Sequence, residues 1–221
     1  MTKILAIETS SDACSVAISD GAIDYSFHEL MPRQHTETLI GIIDDLLNSA
    51  SLDIKDLDIV AVGCGPGSFT GIRLACSTAQ GISTSQNIRG IVVPSLDVLA
   101  FSKNKAESAE KIVSIVDANM GRLYLAEYLY SGQNLKTSKL TSIARDSFNP
   151  KKYDKETFFV GAGCRLVLDS LKKVSSKISF ELPSALELLQ MAKEKHLSKD
   201  TVAPEQILPL YLTEESNWVK S

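Results

Sequence analysis

The segment Gly63-Cys-Gly-Pro-Gly-Ser-Phe-Thr-Gly-Ile-Arg73 constrains this chain more than any other. It follows an apolar run, 58–63, that reads as a buried strand, and it opens onto small and apolar residues at helical spacing over 70–85. A strand, a glycine loop and a helix in that order bring backbone N–H groups and the positive end of the helix dipole to one point. Such a point favours a phosphate or carboxylate. Gly65 and Gly67 permit close backbone approach, Ser68 and Thr70 add hydroxyls, and Arg73 sits in the first helical turn. The spacing is neither that of a P-loop nor Gly-x-Gly-x-x-Gly. A purely structural glycine turn is the competing reading.

The elements around the loop are legible from hydrophobic period. Residues 3–9 are apolar on both faces, the mark of a central strand. With 14–20 and 23–28 they form an expected antiparallel meander, joined through the Glu8-Thr-Ser-Ser-Asp12 turn. Hydroxyls at that turn, Thr9 and Ser10, are candidate phosphate contacts, and Glu8 or Asp12 is placed to hold a hydrated magnesium. Leu39, Ile40, Ile43, Leu46, Leu47 and Ala50 recur at helical spacing over 36–50, with Thr36 as the expected N-cap. A strand at 90–93 and a short helix at 95–103 close a first unit. The pattern then partly restarts: strands at 111–117, 122–130, 136–143 and 157–160, and helices at 165–173 and 184–195. Strands first, then alternating helix and strand, twice over, predict an α/β protein with a weak internal duplication. The expected boundary is the polar stretch 102–108, giving a first lobe of 1–102 and a second of 103–221 whose tail packs back on the first.

Charge divides the chain in the same region. Residues 1–100 hold 5 basic and 12 acidic side chains, whereas 101–180 hold 14 and 8. The overall net charge of −4 argues against independent nucleic-acid binding. No apolar stretch approaches the roughly 18–20 residues of a membrane span, and the run 4–7 is too short for a signal-peptide core, so the expected location is cytoplasmic. The four cysteines are widely spaced, with no Cys-x-x-Cys pair, and read as core residues. His35-Thr-Glu37 lacks the Pro-Cys-x-x-Cys of a zinc deaminase. No Gly-x-Ser-x-Gly elbow is present. These patterns leave no metal site and no serine or cysteine nucleophile to expect from this chain. The helix at 70–85 carries Gly71, Ala75, Ser77, Thr78, Ala79 and Gly81, a surface another helix can approach closely.

Taken together, Ile7-Glu-Thr-Ser10, Arg33-Gln-His-Thr-Glu37, Gly65 to Arg73, Asp117-Ala-x-x-Gly121 with Tyr124, and Leu208-Pro-x-Tyr-Leu212 resemble the bacterial TsaB (YeaZ) family across nearly the whole chain. The resemblance implies an actin-like ATPase (ASKHA) fold of two RNase H-like lobes, the second reduced. It implies a non-catalytic scaffold required for threonylcarbamoylation of the adenosine next to the anticodon of tRNAs reading codons that begin with A. The expected partners are the transferase TsaD, by heterodimerisation, and the ATPase TsaE. A homodimer is expected when the chain is alone, and tRNA contact only within the complex. The transferase carries a His-x-x-x-His metal pair where this chain reads Ser95-Leu-Asp-Val-Leu99, so that metal site is absent. Asn119 stands where family members commonly have arginine, with Arg122 close by. The expected interface comprises Leu39, Ile43, Leu46, Gly71, Leu74, Ala75 and Thr78. Thr9, Ser10, Gly65, Gly67, Ser68 and Thr70 form the candidate nucleotide site, and ATP or ADP with magnesium would bind at the complex interface. The alternative is a small ASKHA-type ATP-dependent phosphotransferase or ATPase. A zinc peptidase is a third class.

Overall fold

In the computed structural model, which describes residues 2–132, 134–212 and 218–220, every side chain of Ile4–Glu8 (β1) is buried. Strands buried on both faces need cover on both, and the first unit supplies it. That unit comprises Met1–Val98 and Pro183–Leu210. Its sheet has the order β3-β2-β1-β4-β5, with β2 Ala13–Ser19, β3 Asp24–Leu30, β4 Ile59–Gly63 and β5 Arg89–Val93. The expected meander is present: β1 pairs antiparallel with β2, and β2 with β3. β4 and β5 then add in parallel, with Ile7 opposite Val62 and Val62 opposite Val92.

Strand alternation sorts the core into two layers. Leu5, Ile7, Val16, Ile18, Val60 and Val62 face the helices α1 (His35–Ser49) and α2 (Phe69–Gln86). Ile4, Ala6, Ala17, Ile59, Ala61 and Ile91 face Ala185, Leu188, Leu189 and Ala192 of a helix spanning Ala185–Leu197. The small alanines on that face let the helix lie close to the sheet.

Helix α1 buries His35, Leu39, Ile43 and Leu47, a stripe of four-residue spacing. Its N-cap is Gln34, not Thr36, which lies inside the first turn. Arg33 has a φ of 66° and turns the chain just before the observed cap. Of the first unpaired donors, Gln34 N is met by Met31 O and Glu37 N by Gln34 O, both at 3.1 Å.

The second unit holds Leu99–Leu182 and Tyr211–Ser221, so Pro183–Leu210, which lies inside the expected second lobe, groups with the first unit. The division falls within helix α3, Ser95–Glu107. This helix continues past the expected end at 103, through residues that lack apolar period. The reason is tertiary: Lys103 pairs with Glu181, and the buried Asn104 donates Nδ2 to the carbonyls of Ala109 and Gly132 at 3.0 and 2.8 Å. Asn104→Ala strands both carbonyls and is expected to cost about 1–3 kcal/mol, read as a lower urea midpoint at unchanged slope.

The sheet of this unit has the order β10-β9-β6-β7-β8-β11. Its strands are β6 Lys111–Asp117, β7 Arg122–Ser131, β8 Asn134–Ala144, β9 Phe158–Val160, β10 Ile178–Ser179 and β11 Trp218–Lys220. Strands β6, β7 and β8 form a second meander, and β9 and β10 add in parallel beside β6. Read from β8 to β10, this repeats the topology β3-β2-β1-β4-β5 of the first unit. The copy is reduced. β9 and β10 are three and two residues long, and the position of α1 holds only single 3-10 turns at Arg145–Ser147 and Pro150–Lys152. The helix expected at 165–173 is a 3-10 segment, Ala162–Val167, followed by a single α turn, α4 (Leu168–Leu171). Its apolar spacing, Cys164, Val167 and Leu171, is that of a helix, but Val167, with φ −127°, breaks the winding. Among the described residues no helix is long and apolar enough to cross a membrane. The helix Ala185–Leu197 is α5.

Candidate functional site

The glycine loop begins where β4 meets β1. A Cβ on Gly63 would lie 1.9 Å from Glu8 Oε2, so only glycine leaves room for that carboxyl. Glu8 is fully buried. Ser10 N donates to its Oε1 at 2.6 Å, and Ser95 Oγ donates to its Oε2 at 2.7 Å. Gly65 N in turn donates to Ser95 Oγ at 3.1 Å. Burial raises the Glu8 carboxyl above its ordinary value of 4.5, against the bonds from Ser10 and Ser95, which lower it. Both carboxyl oxygens are therefore engaged inside the protein. Asp12 is exposed. The two acids expected to hold a hydrated magnesium thus differ in surroundings: one is sealed and bonded, the other faces water.

From Gly65, whose φ is +93°, the chain turns onto the N-terminus of α2. A Cβ on Gly67 would stand 2.2 Å from Ser10 O, and one on Gly71 would stand 1.9 Å from Thr9 O. Ser68 N donates to Ser10 O at 2.7 Å, and Thr9 Oγ1 donates to Gly71 O at 2.8 Å. Ser68 Oγ accepts from Gly71 N at 3.3 Å as the helix N-cap. The structure thus brings Thr9, Ser10, Gly65, Gly67 and Ser68 together as the sequence led one to expect, yet it packs them against one another. Ser68 and Thr70 are exposed. The acceptor at the head of α2 is the carbonyl oxygen of Ser10, which stands where an anion would exploit the helix terminus. A phosphate oxygen brought there would meet a partial negative charge and buried backbone. The residues present do not fit a nucleotide phosphate in this conformation.

Other chemistry-bearing residues are likewise built into the fold. His35 Nε2 bonds Ser11 O at 3.0 Å. All four cysteines are free and buried, and burial pushes the Cys76 and Cys164 thiols up to about 12, too high for a thiolate at neutral pH. Among the described residues no group of three or more His, Cys, Asp or Glu side chains is placed to hold a metal. Asn119 and Met120 both have positive φ, 60° and 50°, at the tip of the β6–β7 hairpin. Asparagine suits that left-handed position better than arginine does, which gives a local reason for Asn119. Arg122 is tied to Ser142 through Nε at 3.2 Å.

The candidate interface residues divide by burial. Leu39, Ile43 and Ala75 lie in the core of the first unit, and Gly71 lies under the Thr9 carbonyl. These four positions are buried, a correction to their expected role on a contact surface. Leu46, Leu74 and Thr78 are half-buried. The outward faces of α1 and α2 carry Ile40, 61% exposed, and Phe69, 59% exposed, with the Arg73 guanidinium 3.6 Å over the Phe69 ring. Ser77 and Gly81 continue the α2 stripe. The signal for Ile40 is present in the sequence: with Ile42 and Leu46 it is one of three apolar residues of α1 that fall off the stripe 35-39-43-47, and it is the exposed one.

A family model described as "TsaD: tRNA N6-adenosine threonylcarbamoyltransferase" matches residues 27–216. The tRNA threonylcarbamoyladenosine biosynthesis protein TsaB of Escherichia coli (strain K12) is 31% identical over 99% of this chain and 97% of its own length. That of Haemophilus influenzae is 29% identical over 98% and 96%. The solved structure of YeaZ from Pseudomonas aeruginosa superposes with a TM-score of 0.85 at 27% identity, covering 96% of this chain and all of that one. These likenesses fit the duplicated meander topology and identify it as an actin-like fold. By its fold and its full-length similarity, the chain belongs to the TsaB/YeaZ family of tRNA threonylcarbamoyladenosine biosynthesis proteins.

Proposed function

We propose that the chain is a non-catalytic scaffold that heterodimerises with the transferase TsaD and activates threonylcarbamoylation of the adenosine next to the anticodon. One observation supports this most: the two loops that would cradle a nucleotide are bonded to each other, Ser68 N to Ser10 O and Thr9 Oγ1 to Gly71 O. Ser95, standing where the transferase relative carries its first metal histidine, engages Glu8 and Gly65 instead. What this leaves to the chain is a rigid unit with an exposed stripe on α1 and α2. In this reading the stripe meets the transferase, and pairs with a second copy of this chain when the transferase is absent. TsaE joins the assembly, ATP or ADP with magnesium belongs to the complex, and the setting is the cytoplasm.

Ile40→Glu and Ser77→Arg alter exposed positions and leave the core intact. Each is expected to weaken the transferase complex at least about tenfold, roughly 1.4 kcal/mol, with thermal stability nearly unchanged. Calorimetric titration against the transferase reads the first, and a melting curve the second. Unchanged affinity in both variants would move the interface elsewhere. Conversion of threonylcarbamoyl-adenylate and tRNA to modified tRNA by the purified chain alone would overturn the scaffold reading. Magnesium-ATP binding by the chain alone would favour the phosphotransferase class.

A further inference from the structure

The charge of the chain is not shared between its two units. Met1–Val98 with Pro183–Leu210 hold 8 basic and 16 acidic side chains, whereas Leu99–Leu182 holds 14 and 9. Within the second unit the excess is concentrated in residues 145–177, with 8 basic against 4 acidic. Some of this charge is matched internally: Lys111 pairs with Asp154, Lys152 with Glu127, and Lys177 with Glu156. Lys151, Lys172 and Lys173 are exposed and have no ion pair among the described residues.

The backbone beneath these lysines is well anchored. Asn149 Oδ1 accepts from Lys151 N at 3.1 Å and caps the turn that carries it. Phe148, Tyr153, Phe159, Val167, Leu171 and Ile178 belong to one core cluster, so the 148–155 and 167–178 segments share a foundation. Ser175 Oγ donates to Lys155 O at 3.2 Å and joins the two directly. Beside them lies an open cavity of about 560 Å³, lined by Arg145 and Arg165 together with Asp146 and Asp169. The Arg145–Asp146 approach is long, 3.9 Å, and Arg165 stacks at 4.4 Å on Phe180. Two neighbouring segments with anchored backbones therefore carry exposed lysines that have no ion pair among the described residues, on a chain whose net charge is −4.

We propose that this lysine surface, Lys151, Lys172 and Lys173, docks the phosphate backbone of a folded RNA. The proposal rests on the scaffold reading, which places a tRNA in the same assembly. Lysines suit phosphates, because ammonium groups act as point charges that hold position without reading bases. It also fits an overall charge of −4, which disfavours nucleic-acid binding by the chain alone: the three lysines supply part of a footprint that the transferase completes.

The test uses the assembled complex of this chain with the transferase, and tRNA affinity measured between about 50 and 200 mM salt. Every phosphate that is no longer neutralised takes on the order of 0.9 off the slope of log affinity against log salt. The triple variant Lys151→Glu/Lys172→Glu/Lys173→Glu is therefore expected to lower the slope by about 2–3 and the low-salt affinity at least about tenfold. The triple arginine variant is expected to keep both. Unchanged slope and affinity in an intact variant complex overturn the proposal while leaving the scaffold reading in place. Failure of the unaltered chain to form the complex would remove the scaffold reading, and this docking role with it.

Discussion

Replacing Gly71 with alanine is expected to destabilise the protein by about 3 kcal/mol, the upper part of the range for overpacking a tight contact. In a chain of this size that lowers the melting temperature by about 6–12 °C. The sign is the informative part. Gly71 lies in the first turn of α2, and at an ordinary helical position alanine is better than glycine by about 1 kcal/mol. Here the new methyl would meet the Thr9 carbonyl oxygen at 1.9 Å, and that oxygen belongs to backbone that cannot swing away. Gly81, in the same helix with nothing within 4 Å of an added Cβ, is the control: Gly81→Ala is expected to gain about 0.5–1 kcal/mol. Thermal melts of the two variants check the pair. A Gly71→Ala protein as stable as Gly81→Ala would show that the glycine loop and the Thr9–Ser10 turn are not closed on each other in solution.

Removing the Glu8 side chain has a comparable expected cost. Glu8→Ala leaves the Ser10 N–H and the Ser95 hydroxyl without their buried acceptor and opens a void beside Gly63, together on the order of 3–5 kcal/mol. Burial also gives the carboxyl a pH signature. Its folded-state pKa lies above 4.5, so below that value both states are protonated and the group makes no charge-linked contribution. As pH rises through 4.5 the unfolded chain releases its proton while the folded chain holds it, and stability falls until the folded carboxyl also ionises. Glu8→Gln has no such proton to lose. The advantage of the native protein over Glu8→Gln is expected to be greatest near about pH 4 and to shrink toward neutrality, measured by urea unfolding at a series of pH values. An advantage that grows with pH would mean that the carboxyl is stabilised as an anion.

The parts of this fold that are legible in the sequence are those in which period and burial agree. Strand β6 has the expected bounds, Lys111–Asp117, and β1 is the doubly covered strand that its unbroken apolar run implies. The illegible parts depend on residues distant in sequence. The end of α3 reads as a linker because Lys103 finds its partner at Glu181 and Asn104 one of its two at Gly132. The glycine loop reads as an anion cradle because its own residues permit one. What it receives is the turn at Thr9 and Ser10, far back along the chain, and no local pattern carries that information. On α1 and α2 the apolar residues are visible, but their division into inward and outward sets is settled by the sheet beneath them: Leu39 faces the core and Ile40 faces water.

The grouping of Pro183–Leu210 with Met1–Val98 has a consequence for the order of synthesis. All the strands of the first sheet leave the ribosome before α5 exists, and the segment 99–182 emerges in between. Throughout that interval the face formed by Ile4, Ala6, Ala17, Ile59, Ala61 and Ile91 lacks the leucines and alanines of α5 that cover it. The first unit is thus completed only after the 99–182 segment has been made, so the nascent chain carries an open apolar sheet face while the residues between Val93 and Ala185 are added, the kind of surface that invites chaperone binding or misassembly.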